Sequence, residues 1–169
     1  MRRILLAGAA VVLALGVAGA IAIPAASQAA PSSPAKSTTL VFDVVFSPFE
    51  LVKANPERNP NSPFSLGDEL LFHDQLFSSG QQVGDEAGSC VIVDVSSLLA
   101  NCTDVIRLPG GNITAQFLTA PPPLKQLAIT GGTGVYNTAG GDGTLLEFAN
   151  NTGKLTLNVL SLVARGGGA

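Results

Sequence analysis

From residue 39 onward, hydrophobic and polar residues alternate over short stretches that are separated by turn-forming residues. Alternation with a period of two is typical of β-strands, because successive side chains of a strand point to opposite faces. The pattern predicts eight strands, at 39–46, 68–77, 89–95, 102–108, 113–119, 124–130, 144–148 and 155–163. No amphipathic helical stretch competes with them, although a single helical turn would fit within 47–55.

The connections between these strands are rich in glycine, proline and asparagine. The segments PGGN (109–112) and NNTG (150–153) are strong hairpin signals, and the prolines at 121–123 must form a connection because proline cannot donate a strand hydrogen bond. Glycine also clusters within 127–148, which predicts tight turns or bulges at a sheet corner. An even number of antiparallel strands joined by such turns predicts an all-β fold, an eight-stranded antiparallel up-and-down barrel.

The N-terminus has the organisation of a targeting segment. Arg2 and Arg3 precede an uncharged apolar run, 4–23, which is followed by small residues at 25–30. This order is typical of a secretory signal peptide, here residues 1–30, and it predicts a secreted, extracellular protein. The alternative is an uncleaved membrane anchor, since the apolar run is long enough to span a bilayer.

The remaining sequence divides into three parts. Residues 31–38 are rich in proline and serine and are expected to form a flexible linker. The barrel should occupy 39–164, and the glycine-rich residues 165–169 are expected to form a disordered tail. No later apolar run reaches membrane-spanning length, so no integral membrane part is expected after cleavage.

The charge balance and the residue types restrict the possible partners. The formal net charge is −3, and removal of Arg2 and Arg3 with the signal peptide changes it to −5. Without a basic cluster, this acidic excess argues against nucleic acid as a partner. One histidine and two cysteines are too few for a thiolate or imidazole metal site, and GGTG (131–134) lacks the Lys-Ser/Thr pair of a phosphate-binding loop. Neither a metal nor a cofactor is therefore expected.

The two cysteines, Cys90 and Cys102, lie in neighbouring predicted strands with a turn near Ser96 and Ser97 between them. In an oxidising compartment we expect them to form a disulfide across this hairpin. Such a bond, closing so short a loop, would contribute about 3 kcal/mol. The alternative is a free Cys90 that points into a cavity.

Two aspartates on predicted strands, Asp43 and Asp74, are the candidate catalytic residues. Asp43 lies on a strand that is apolar on both faces, and Asp74 shares one face of its strand with large apolar residues. Desolvation by such neighbours raises the pKa of a carboxyl group, which can then give or take a proton. The alternative is a structural acid that lies on the outer face or accepts a hydrogen bond from a loop amide.

Five blocks follow one another along the chain, and together they resemble two known families. The blocks are SLGD (65–68), FHDQL (72–76), AGSCV (87–91), ITAQ (113–116) and GGTG (131–134). In this order and spacing they resemble the plant allene oxide cyclases, and the last block also resembles the dirigent proteins, which share the same barrel superfamily. The resemblance implies the eight-stranded barrel, and because trimers occur in both families it also implies a homotrimer.

The resemblance also suggests how this chain differs from the plant enzymes. The first-strand glutamate of the cyclases corresponds to Asp43, and their barrel cysteine corresponds to Cys90. The polar residues that hold a water molecule in the cyclases are replaced here by Val45 and by apolar residues near Leu51. Since valine and leucine cannot hold a water molecule, turnover of the plant substrate is not expected.

The sequence therefore favours a secreted barrel that binds a small hydrophobic molecule in its lumen. An activity, if there is one, would be a cofactor-free cyclisation or isomerisation, or a dirigent-like guiding of coupling, with Asp43 or Asp74 polarising the ligand. The alternative is a non-catalytic extracellular barrel with a binding or structural role. The expected ligand contacts are Val41, Val45, Leu70, Phe72, Leu76 and Cys90.

Overall fold

Nine β-strands account for most of the chain between residues 36 and 161 in the computed structural model. The structure describes residues 36–55, 63–121 and 123–161, and at residues 36 and 161 it describes the backbone. The predicted signal peptide (1–30) and tail (165–169) lie outside this part of the chain. No helix among the described residues is long and apolar enough to cross a membrane.

The strands are long, apart from one short segment near the N-terminal side of the barrel. They are β1 (Lys36–Val45), β2 (Glu50–Val52), β3 (Glu69–Ser78), β4 (Gln81–Asp94), β5 (Leu99–Leu108), β6 (Gly111–Thr119), β7 (Leu124–Gly132), β8 (Gly140–Glu147) and β9 (Thr152–Ser161). A single turn of 3₁₀ helix, Gly134–Tyr136, lies between β7 and β8.

The strands form one antiparallel sheet that closes on itself. Each long strand from β3 to β8 pairs with the next one along the chain, and β1 pairs with both β9 and β3. Closure leaves no free edge among the eight long strands. The predicted all-β, eight-stranded antiparallel up-and-down barrel is therefore confirmed.

The short strand β2 pairs with β3 beside the mouth of the barrel. β1 pairs with β3 at Asp43↔Phe77, and β2 pairs with the same strand further along, at Glu50↔Leu71. The two segments therefore share one edge of β3, and residues 46–49 leave the sheet between them. The helical turn that would fit within 47–55 is absent, because residues 50–52 continue the sheet instead.

Six strands begin earlier than the sequence predicts, and three of these extensions change the interpretation of the chain. β4 begins at Gln81, because Ser79 and Gly80 adopt φ angles of 52° and 75° and turn the chain immediately after β3. β8 begins at Gly140, so part of the glycine-rich segment extends the sheet. β1 begins at Lys36, and residues 36–38 therefore belong to the barrel rather than to a linker.

The end of the barrel remote from residues 46–49 is filled with aliphatic side chains. Six of them have no measurable exposure: Val44, Leu76, Ile106, Ile113, Leu155 and Leu157. At this end the GGTG segment packs on the β5–β6 turn. Gly134 has a φ of 60°, and a Cβ atom there would collide with the carbonyl oxygen of Gly110. The glycine motif is therefore required for close backbone packing.

Candidate functional site

A cavity of about 340 Å³ occupies the half of the barrel interior that lies next to residues 46–49. This volume falls at the lower end of the range for small-molecule sites. Five phenylalanine side chains contribute to its wall: Phe46, Phe49, Phe72, Phe117 and Phe148. Its polar lining includes Asp74, Glu86, Asp104, Thr119, Glu147 and Asn151. We call this space the lumen cavity.

Three acidic side chains form the floor of the lumen cavity, and they come from three adjacent strands. Asp74 of β3 lies directly opposite Glu86 of β4, and Asp104 of β5 lies opposite Gly88, two residues along β4 from Glu86. All three point inward and are at most 5% exposed. The filled half of the barrel begins immediately beyond them, because the next inward residue of β3 is the fully buried Leu76.

The absence of a side chain at Gly88 allows close packing in the site. A Cβ atom at this position would collide with the carbonyl oxygen of Thr103 and would lie 2.6 Å from the ring of Phe72. Phe72 and Asp104 both lie opposite Gly88, on its two flanking strands. The missing side chain therefore lets the Phe72 ring lie over β4, close to the carboxyl groups.

The environment of the three carboxyl groups favours their neutral forms. Burial raises the pKa of Asp74, and a hydrogen bond from the Ser47 backbone N–H, 2.7 Å long, opposes this shift. Burial together with the charges of Asp104 and Asp74 raises the pKa of Glu86 well above its usual value. Burial also raises the pKa of Asp104 to about 7, although a hydrogen bond with Glu86 lowers it.

These shifts assign different protonation states to neighbouring groups. Two carboxyl groups in hydrogen-bonding reach of each other share a proton more readily than they both ionise. The contact between them raises the pKa of Glu86 and lowers that of Asp104, so Glu86 is the proton donor of the pair and Asp104, with a pKa of about 7, is the acceptor. A pair in this state holds both a proton donor and a proton acceptor at the floor of the cavity.

One oxygen of this cluster has no partner. Asp104 Oδ1 is buried and accepts no hydrogen bond from any donor in the described part of the protein. A buried acceptor without a donor is costly, unless a ligand or a shared proton satisfies it.

Four of the residues expected to contact a ligand, or to act on it, do line the cavity. These are Leu70, Phe72, Asp74 and Cys90. Leu76 shares the inward face of β3 with them, as the alternation predicted, but it is fully buried in the filled half of the barrel. It therefore supports the floor of the cavity and is not part of its lining.

The remaining three expected site residues lie outside the barrel. Asp43 projects from the outer face of β1, where its side chain is 63% exposed and pairs with Lys154 at 2.7 Å. Val41 and Val45 share that face and are 47% and 41% exposed. The expectation that these residues line the lumen is wrong, because Phe42 and Val44 occupy the inward positions of this strand.

Cys90 and Cys102 are bonded to each other. The expected disulfide is therefore confirmed, and the alternative prediction of a free Cys90 is wrong. The two residues are directly opposite on β4 and β5, with a Cα–Cα distance of 4.0 Å. The bond ties together the two strands that carry Glu86 and Asp104.

Sequence reasoning missed Glu86 and Asp104 as site residues. Glu86 lies before residue 89, where the predicted strand began, so its face was not assigned. Asp104 was detectable, because it alternates with the inward-facing Cys102 and Ile106 on one strand. An acid between two buried apolar residues is the signal that would have identified it.

A basic residue lies near the cavity mouth but not in the wall of the lumen cavity. Lys125 points inward from β7, is 5% exposed, and donates to the carbonyl oxygen of Ala120 at 2.8 Å. Its ammonium group lies 3.4 Å from Glu147 Oε2, so it offsets the charge of that carboxylate. Among the described residues, no three carboxylate, imidazole or thiolate groups converge as a metal-binding set.

A further buried aspartate links the chain that follows β2 to the chain that precedes β3. Asp68 accepts hydrogen bonds from the backbone N–H groups of Ala54 and Ser65, at 3.1 and 2.8 Å, and from Lys53 Nζ at 2.7 Å. The bond from Lys53 lowers the pKa of this carboxyl group. Asp68 therefore ties Ala54 and Ser65 to the start of β3.

Comparisons with known proteins agree with this architecture. The model of the allene oxide cyclase barrel-like domain family matches residues 51–159. Among solved structures, pyocyanin demethylase is 29% identical with a TM-score of 0.63, over 72% of this chain and 99% of that one. A comparison with curated protein sequences finds no match.

Two further solved structures share the fold at lower identity. A pterocarpan synthase dirigent protein is 17% identical with a TM-score of 0.61, over 83% of this chain and 100% of that one. The Diels-Alderase AbmU from Streptomyces koyangensis is 15% identical with a TM-score of 0.57, over 79% of this chain and 73% of that one.

Proposed function

Because the chain belongs to the allene oxide cyclase barrel-like domain family, we propose that its lumen binds a small, mostly apolar molecule and promotes a cofactor-free cyclisation or isomerisation of it. The observation that carries this proposal is the apolar cavity of about 340 Å³ with the Glu86–Asp104 pair at its floor. Apolar walls with a few converging polar groups are the usual design of a small-molecule site.

The relatives support the same class of activity. Those named as a pyocyanin demethylase, as pterocarpan synthase dirigent proteins and as Diels-Alderases act on small molecules. A barrel whose lumen is only partly filled by side chains has room for one such molecule. The family and the cavity together support the coarse part of this proposal.

The carboxyl cluster supplies the chemistry. Glu86 donates its proton to the ligand atom at which negative charge develops, and Asp104 accepts a proton from the position that loses one. The proton then passes back from Asp104 to Glu86 through their shared hydrogen bond, so the cluster ends in the state in which it began. Asp74 is the third acid of this group, and its bond from Ser47 N–H ties the cluster to the mouth loop.

The aromatic wall supplies orientation. Rings at Phe46, Phe72 and Phe117 line the cavity from three different elements. A ligand confined there is held in a restricted set of conformers, which lowers the entropic part of the barrier to ring closure.

A second candidate function is binding or guiding of a ligand without turnover, which the dirigent-like fold favours. Glu86→Gln and Asp104→Asn separate the two. Both changes keep the shape of the side chain and remove its proton chemistry. If the protein is an enzyme, each variant loses at least about tenfold in rate at a saturating ligand concentration.

The experiment combines native mass spectrometry with product analysis. Protein purified from its own host is examined for a bound molecule, and the released molecule is offered to wild type and to both variants. Unchanged conversion by the two variants would overturn the proposed acid–base role. A lumen that binds no small apolar molecule at all would overturn the proposed function itself.

We also propose that the protein works outside the cytoplasm and assembles as a homotrimer. The disulfide supports the first part, since such bonds persist in oxidising compartments. Exposed aliphatic side chains on the outer face support the second, among them Val41, Val45 and Leu118. Thiol labelling of freshly fractionated host cells tests the compartment, and light scattering of the purified protein tests the subunit number.

A further inference from the structure

We infer that the molecule bound in the lumen cavity is an apolar organic cation, such as an alkyl- or arylammonium group carried on a hydrophobic body. This inference rests on the proposed function, because it names the ligand class of the same cavity. It depends on three independent features of the cavity: its charge, its unsatisfied acceptor and its aromatic wall.

The charge of the cavity wall has one sign. Asp74, Glu86, Asp104 and Glu147 line it, and no lysine, arginine or histidine is found among the described lining residues. The nearest inward-facing base, Lys125, is engaged with Glu147 and with the Ala120 carbonyl oxygen at the mouth. The floor therefore carries acidic groups without a protein cation to balance them, and a positively charged ligand would provide that balance.

The unsatisfied acceptor identifies where the cation would lie. Asp104 is 4% exposed, and its Oδ1 atom has no hydrogen-bond partner in the described protein. The donors near the cluster are few, namely the Ser47 N–H, which bonds to Asp74, the Val105 N–H, and the one proton of Glu86. Three carboxyl groups offer more acceptor oxygens than these donors can satisfy, so the site favours a ligand that brings positive charge or N–H donors.

The aromatic wall suits the same class of ligand. Five phenylalanine rings surround the cavity, and they come from β3, β6 and the two loops at its mouth. The face of an aromatic ring attracts a cation, and groups of such rings are a known means of recognising quaternary ammonium groups. Apolar walls alone would accept any hydrophobic ligand, whereas rings combined with a carboxyl group whose pKa is about 7 favour a cation once that group is ionised.

The pH dependence of binding follows from the groups that face Asp104. These are Glu86 on β4 and Asp74 on β3, with the uncharged Ala115 opposite on β6, while Glu147 lies further toward the mouth. Since the pKa of Asp104 is raised to about 7, a ligand of fixed positive charge must displace a proton to bind below that pH. Its affinity should therefore rise about tenfold per pH unit up to pH 7 and level off above it.

The test uses a matched pair of ligands that differ only in charge. Benzyltrimethylammonium and 2,2-dimethylpropylbenzene have the same shape, with a quaternary nitrogen in one and a quaternary carbon in the other. Dissociation constants are measured by ligand-observed NMR at constant ionic strength between pH 5 and pH 9. We expect the cation to bind at least about tenfold more tightly than the hydrocarbon at pH 8, and only the cation to show the pH dependence.

Variants assign the effect to the lumen. Asp104→Asn should reduce the affinity for the cation about tenfold and abolish its pH dependence, while the affinity for the hydrocarbon stays within a factor of about two. Asp142→Asn is the matched control, because it removes the same charge from the exposed face of β8 and should alter neither affinity. Circular dichroism of each variant confirms that the barrel is intact.

The outcomes separate this inference from the proposed function. If the hydrocarbon binds as tightly as the cation at pH 8, or if Asp104→Asn leaves the preference unchanged, the inference is overturned while a small-molecule lumen is retained. If neither ligand enters the cavity, and no apolar molecule co-purifies with the protein, both proposals fail. Tighter binding of the anion phenylacetate than of the cation would also overturn the inference.

Discussion

At the scale of single residues, the carboxyl groups of Glu86 and Asp104 differ from most acids of this protein because they are buried beside each other. Asp85 and Asp94 have pKa values lowered by hydrogen bonds, from Arg107 and from the two serines of the following turn respectively. Glu86 and Asp104 instead have raised pKa values. The first two stabilise the fold when they ionise, whereas ionisation of the second two works against it.

The first prediction concerns stability against pH at Asp104. Its pKa rises from 3.8 in the unfolded chain to about 7 in the fold, so the folded state binds more protons between those values. Its contribution to the free energy of unfolding is therefore greatest below about pH 4 and declines by on the order of 4 kcal/mol as the pH rises to 7. Asp104→Asn should remove that decline.

Urea denaturation of wild type and Asp104→Asn at several pH values from 4 to 8 measures this effect. The quantity to compare is the difference between the two proteins, since the acids with lowered pKa contribute equally to both. The variant should gain stability relative to wild type as the pH rises. A difference that does not change with pH would show that Asp104 ionises as freely in the fold as in the unfolded chain.

The second prediction concerns Asp43, which the sequence placed in the site and the structure places on the outer face. Both side chains of its ion pair with Lys154 are exposed. Such pairs contribute about 0–1 kcal/mol to the free energy of unfolding. Asp43→Ala should therefore change the free energy of unfolding by less than about 1 kcal/mol and leave ligand affinity unchanged. Denaturation and ligand titration check this, and a loss of binding would return Asp43 to the site.

At the scale of elements, the β3–β4–β5 part of the sheet builds the site through register. Because strand pairing fixes which residues face each other, Glu86 lies between Asp74 and Ile106, and Gly88 lies between Phe72 and Asp104. A shift of one residue in β4 would turn Glu86 outward and place a side chain where Gly88 leaves space. The β3–β4 turn at Ser79 and Gly80, which both adopt positive φ, sets the pairing next to the turn. An irregularity between Leu76 and Phe77 then shifts the pairing by one residue and brings Glu86 opposite Asp74.

The third prediction tests the close packing at Gly88. Gly88→Ala places a methyl group against the Thr103 carbonyl oxygen and the Phe72 ring, so the strands must separate or the ring must move. We expect a loss of about 1–3 kcal/mol in the free energy of unfolding, together with weaker ligand binding. Gly140→Ala is the matched control, because a Cβ atom there meets no neighbouring atom within 4 Å. Equal stability of the two variants would contradict the proposed packing role.

At the scale of the whole molecule, closure and the disulfide hold the barrel around its partly empty lumen. Pairing of β1 with β3 closes the sheet, and the Cys90–Cys102 bond fixes two strands in the half that holds the cavity. The other half is supported by a continuous aliphatic core. A cavity with buried acids costs stability, and the cross-link offsets part of that cost.

The fourth prediction measures the contribution of the cross-link. The double variant Cys90→Ala/Cys102→Ala should lose about 2–4 kcal/mol in the free energy of unfolding, because the unfolded chain regains the freedom of the closed loop. Chemical denaturation at neutral pH without reductant gives the value. Unfolding at the same urea concentration as wild type would mean that strand pairing alone holds β4 and β5 together.

The sequence by itself determined the class of fold and the identity of several site residues. Alternation along β3 placed Leu70, Phe72 and Asp74 on one face, and closure of the barrel turned that face inward. The cysteine spacing predicted the disulfide for the same reason, since neighbouring strands of a hairpin bring facing residues together. These features are local, and a pattern with a period of two is sufficient to specify them.

Only the tertiary structure decided which face of β1 is inside and which acids meet. β1 has apolar residues on both faces, so alternation could not place Asp43, and the packing of Phe42 and Val44 against the core did so. Glu86 and Asp104 are 18 residues apart in the chain and become neighbours through the pairing of β4 with β5. The raised pKa values of the two acids depend on that contact and on burial, and both arise only when the sheet closes.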